Sequence, residues 1–128
     1  MCSDFKRNTV TATACLMLYV INRFSKFYDA SENIIKYIWD YNFTDFLCVV
    51  LNLSLANLAL AILKKEGIYN ARMIMILSVF SCFIWEVFVC WLNDKSTFDI
   101  LDCIAYMAGG AVYYYLMKYA RNSNCNDE

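Results

Sequence analysis

Three carboxylates stand where a chain this apolar has little reason to keep them: Asp45, Glu86 and Asp102, at or inside three separate apolar blocks. Glu86 is the most informative. It sits in FIWEVFVCW, with no other polar side chain within three residues on either side. An ionisable group in such a setting is costly, turns toward the interior of a helix bundle, and marks a site that binds or moves something. On the last block Asp99, Asp102, Tyr106, Gly109 and Tyr113 recur at i, i+3, i+7, i+10 and i+14, which is one side of a 3.6-residue helix. Ala105 and Gly109 form a small-xxx-small pair, and Gly110 extends it, so another helix can approach closely there. Asp45, Cys48 and Asn52 form a second stripe, with Asn57 deeper. These residues predict a polar pocket walled by Asp45, Asn52, Glu86, Asp102 and Tyr106, with Lys95 on its rim. Its chemistry is cation binding by Glu86 and Asp102. Tyr106 serves as a neutral donor, and Lys95 engages a phosphate or carboxylate of the ligand.

Structural roles compete with each assignment. Asp99 lies three residues after Ser96, a capping-box spacing. Asp45 follows Thr44 where a helix could start. Glu86 could bond a tyrosine, and Gly109 and Gly110 could serve packing alone.

Other chemistries are excluded by composition. The chain has no histidine, which removes the commonest general base and zinc ligand. Its seven cysteines include no CxxC pair, so no metal or cofactor site is expected. A Cys90–Cys103 disulfide remains open across the short turn between them. The net charge of −1 gives no reason to expect nucleic acid as a partner.

The elements that position these residues follow from hydropathy. Apolar residues make up 61% of 128 and proline is absent, which points to an all-α integral membrane protein of one domain. Four spans are expected, at about 9–28, 45–63, 71–92 and 98–119, forming a four-helix bundle in the bilayer. Lys6 and Arg7 before a short apolar run resemble a signal peptide, but no small-x-small site follows, so the first span reads as a retained anchor. Between spans one and two, DASENIIKYIWDYNF reads as a short interfacial helix, with Asp29 and Glu32 as a capping box and Trp39 at headgroup level. Lys6, Arg7, Lys64, Lys65, Arg72, Lys118 and Arg121 fall on one side, against Arg23, Lys26, Lys36 and Lys95 on the other. That bias puts both termini in the cytoplasm, at a plasma membrane.

From Glu86 onward the chain resembles VanZ-like membrane proteins, a family named for a teicoplanin-resistance protein. Its pattern runs approximately E-x-x-Q, a short loop carrying Arg, then D-x-x-x-N-x-x-G at the start of the last span. Glu86 matches the glutamate, and Asp102 and Gly109 match the aspartate and glycine at the right separation. Val89 stands at the glutamine position, Lys95 near the arginine, and Tyr106 in place of the asparagine. The resemblance implies a cell-envelope protein, with an envelope or glycopeptide-type ligand as partner beside the bilayer. Three further readings compete. Carboxylates facing a bundle suit an oligomeric small-ion or proton pore, as in toxin-immunity or phage-defence components, with a homo-oligomer as partner. A structural membrane subunit needs no site. An intramembrane aspartyl dyad is the enzymatic reading, and no GxGD-type context surrounds the aspartates.

Overall fold

The computed structural model describes residues 2–28, 34–92 and 99–125. Four helices follow one another: α1 (Cys2–Tyr28), α2 (Ile34–Ile62), α3 (Ala71–Leu92) and α4 (Ile100–Cys125). Among the described residues α2, α3 and α4 are long and apolar enough to cross a bilayer, whereas α1, with a lower hydropathy, is not. Nevertheless α1 runs beside α2 over much of its length. Asn22 donates to the Asp40 carbonyl and to Thr44 near one end. Asn8 meets the Tyr113 hydroxyl near the other. Fourteen residues separate these two asparagines, about 21 Å of helix at 1.5 Å per residue.

The expected interfacial helix is not a separate element. Its described part, from Ile34 onward, is continuous with the second span in one 29-residue helix; residues 29–33, including the Asp29–Glu32 pair, lie outside the described residues. The physical reason is that no glycine or proline stands anywhere between Ile34 and Ile62 to interrupt the hydrogen-bond ladder. As a result Asp45 lies well inside α2, far from any helix start, and has no free amide groups to cap.

The other helix ends are well specified. Lys64, at φ 55°, closes α2 in a left-handed residue. The Lys65 amide bonds the Leu60 carbonyl at 2.9 Å and the Lys64 amide bonds Ala61 at 3.1 Å. This is the Schellman pattern, with lysine where glycine is usual. Asn70 caps α3, its Oδ1 accepting from the Arg72 amide at 3.1 Å. Asp99 caps α4 directly, accepting from the Leu101 amide at 3.2 Å. It is therefore the capping residue itself, rather than the third-position partner of Ser96. Asp102 consequently falls in the first turn of α4, where the helix dipole favours a carboxylate.

Helices α2 and α4 form the central pair, with α1 against α2 and α3 against α4. The outer surface is far more apolar than that of a water-soluble domain, although the core is mostly apolar too. Asn8, Ser54, Asn57 and Ser78 are buried, while Phe80, Phe83, Trp85, Phe88 and Trp91 along α3 are exposed. Apolar surface of this extent is what lipid accepts and water does not. The small residues of α4 set the spacing. A Cβ on Gly109 would stand 2.7 Å from the Phe46 carbonyl oxygen, and one on Gly110 would collide with the Ser78 hydroxyl. Gly109 thus holds α4 against α2, and Gly110 holds it against α3.

Candidate functional site

The acidic residues meet where α2, α3 and α4 converge. Asp102, in the first turn of α4, is within hydrogen-bonding reach of both Asp45 on α2 and Glu86 on α3. Tyr106, one turn further along α4 and 4% exposed, donates its hydroxyl to Asp45 Oδ1 at 3.4 Å. Each partner is positioned by local structure. The Asp99 cap fixes the start of α4, and Gly109, one turn below Tyr106, lets α2 approach so that Asp45 comes within reach. Glu86 is six residues before the end of α3, about 9 Å along the axis.

The chemistry of this contact is restrictive. An ionised carboxylate only accepts hydrogen bonds. Two carboxyls can therefore touch only if one carries a proton or a cation lies between them. With Asp45 and Glu86 both beside Asp102, a proton or a cation among the three would relieve their mutual repulsion. Asn42, one turn before Asp45 on α2, has a buried Oδ1 with no hydrogen-bond partner among the described residues. A small crevice reaches Asp45 from the α1 side, lined by Tyr19, Asn22, Arg23, Tyr41 and Thr44, with a volume of about 90 Å³. At roughly 30 Å³ per water that is space for about three waters or one ammonium-sized group.

Of the expected pocket residues, Asp45, Glu86, Asp102 and Tyr106 are brought together, and Ala105, Gly109 and Gly110 are buried in the helix contacts. Asn52 is not with them. It is exposed on α2, because the inward side of that helix runs through Val50, Leu53, Ser54 and Asn57. Lys95 lies outside the described residues. Cys103 pairs with Cys82 on α3 rather than with Cys90, the two Sγ atoms standing 2.8 Å apart beside the acidic junction.

A second polar cluster, toward the opposite end of the bundle, was not anticipated as a unit. Asn57 Nδ2 donates to the Tyr113 hydroxyl at 2.5 Å and to the Ile68 carbonyl at 3.1 Å, while its Oδ1 accepts from the Ile68 amide at 2.6 Å. The Tyr113 hydroxyl in turn donates to Asn8 Oδ1 at 2.7 Å, and Asn8 Nδ2 donates to Tyr69 at 3.3 Å. This network joins α1, α2, α4 and the α2–α3 turn, and every member has a partner. It is a structural clamp, whereas the acidic junction is the place left with charge to be compensated. Compared with known proteins, the chain matches no protein-family model, no curated protein and no solved structure.

Proposed function

We propose that this chain is a VanZ-like multi-pass protein of the cell envelope whose acidic junction binds a small cationic group entering from the outer side of the plasma membrane. The observation that carries the reading is the convergence of Asp45, Glu86 and Asp102 from three helices, with the Tyr106 hydroxyl on Asp45. A positive charge held among the three would offset part of the negative charge that three helices bring together. The spacing of Glu86, Asp102 and Gly109 supports the family assignment. Crevice size limits what can enter. About 90 Å³ admits an ammonium or a partly hydrated ion, so an envelope ligand would insert an amine while its bulk stays outside.

A second reading rests on the same stoichiometry. If the shared charge is a proton, the junction is one station of a proton or small-ion path, and a homo-oligomer would have to complete that path.

Thermal unfolding of the purified protein in detergent separates these readings. Ethylammonium or sodium should raise the midpoint of the wild type with concentration, as a ligand of the folded state must. Folded Asp102→Asn and Glu86→Gln variants should lose that response. An equal response in both variants would sink the cation reading. A wild type that responds to pH but to neither cation would favour the proton reading. The envelope role is tested separately, by teicoplanin susceptibility of cells producing the wild type or Glu86→Gln. Equal susceptibility to cells lacking the protein would remove the VanZ-like role.

A further inference from the structure

At the end of the bundle opposite the acidic junction, the α2–α3 turn, the start of α1 and the last turns of α4 enclose a cavity of about 610 Å³. Lys64, Lys65 and Arg121 line it together with Asp4, Glu66 and Tyr69. The charge balance is positive. Of the two acids, Asp4 is already paired with Arg7 of the same helix. Neither lysine is in an ion pair among the described residues. The Arg121 guanidinium stacks over the Tyr69 ring, 5.1 Å from its centre, which holds it at the cavity wall. Tyr69 is tied through Asn8 to the polar network, and Asn57 of that network also lines the cavity, so the wall is rigid.

The geometry points to a phosphate-binding site in this cavity, built by Lys64, Lys65 and Arg121, which takes the headgroup of an anionic phospholipid. Two features select a lipid over a free phosphate. The cavity lies at the ends of the apolar helices α2 and α4, at the depth where headgroups sit if those helices cross the bilayer. Its volume also exceeds what a bare phosphate fills and suits a phosphoglycerol group. Basic pockets between membrane helices bind such headgroups by the same combination of charge and position. The inference depends on membrane insertion but not on any role of the acidic junction, which lies at the other end of the molecule.

The test is thermal unfolding in detergent with dihexanoyl-phosphatidylglycerol, dihexanoyl-phosphatidylcholine or inorganic phosphate added. Phosphatidylglycerol should stabilise the wild type, and phosphatidylcholine should not. Apparent affinity should fall about fivefold per cation removed and on the order of a hundredfold in the Lys64→Gln/Lys65→Gln/Arg121→Gln variant. The unfolding midpoint of that variant without lipid shows whether it folds, and the single Lys65→Gln variant gives the same reading if it does not. Inorganic phosphate stabilising as well as the lipid would support the phosphate site and assign it to free phosphate. Equal stabilisation by phosphatidylcholine, or an undiminished response in the variants, would overturn it. Asp102→Asn should keep the full phosphatidylglycerol response, so loss of the acidic junction is distinguishable from loss of this site.

Discussion

Replacing Gly109 by alanine tests how the central helix pair positions the acidic junction. The added Cβ would lie 2.7 Å from the Phe46 carbonyl oxygen and 3.3 Å from Val49 Cβ. Carbon–oxygen contacts between packed elements settle at roughly 3.3–3.6 Å. Helices α2 and α4 must therefore part locally by about half an ångström or more. The obstacle is backbone, so no rotamer change relieves it, and overpacking of this kind costs about 2 kcal/mol. For a chain of this length that lowers the unfolding midpoint by on the order of 5–10 °C. The shift also has a functional reading. Asp45 directly precedes Phe46, and Tyr106 lies one turn from Gly109, so the 3.4 Å bond between them would open beyond hydrogen-bonding distance. Thermal unfolding followed with a thiol-reactive dye, which reports exposure of the buried Cys15 and Cys82, measures the first effect. The cation response of the same variant measures the second. The comparison is Gly110→Ala, whose obstacle is the Ser78 hydroxyl. Ser78→Ala should partly rescue Gly110→Ala, while Phe46→Ala should not rescue Gly109→Ala. A Gly109→Ala protein as stable as wild type, or rescued by Phe46→Ala, would refute the backbone-contact argument.

Further outcomes follow from single contacts. Asn57→Ala should lower stability by about 2–4 kcal/mol, because it strands the Ile68 amide and takes the donor from the Ile68 carbonyl and the Tyr113 hydroxyl, and a urea or thermal melt reads this directly. Asn52→Ala, on the exposed side of the same helix, should change the melt by about 0.5 kcal/mol or less. Mild oxidation should link Cys82 to Cys103, so that trypsin cleavage at Lys95 leaves the two halves joined on a non-reducing gel in a Cys90→Ser protein; a link lost in Cys90→Ser but kept in Cys82→Ser would contradict the α3–α4 register.

The face of α4 was legible because two independent signals coincide on it. Asp102, Tyr106, Gly109 and Tyr113 share a helical period, and glycine there can mean only close approach in a helix with no turn to make. Glu86 stood out because nothing local explains a carboxylate among aromatic and branched side chains. The junction between the expected interfacial helix and span two was misread, since Thr44–Asp45 has the composition of a helix start although no residue before it stops a helix. Asn52 was assigned to the pocket by sharing a stripe with Asp45. In a lipid-facing helix the apolar residues lie on every side, so periodicity does not show which polar residue turns inward. The Asn8–Tyr113–Asn57 clamp joins residues up to 105 positions apart, and local spacing carries no information on such pairings. One usable signal was present: Asn57, in SLANLALA, is a polar group in apolar surroundings that must find a partner.

The most direct test is infrared difference spectroscopy of the carboxyl groups in membrane-reconstituted protein, with and without added ethylammonium or sodium. A shared positive charge at the junction predicts a cation-induced change in carboxyl absorption that is present in the wild type and absent from Asp102→Asn. A wild-type carboxyl spectrum that neither cation alters, or an Asp102→Asn protein that shows the same change, would contradict it.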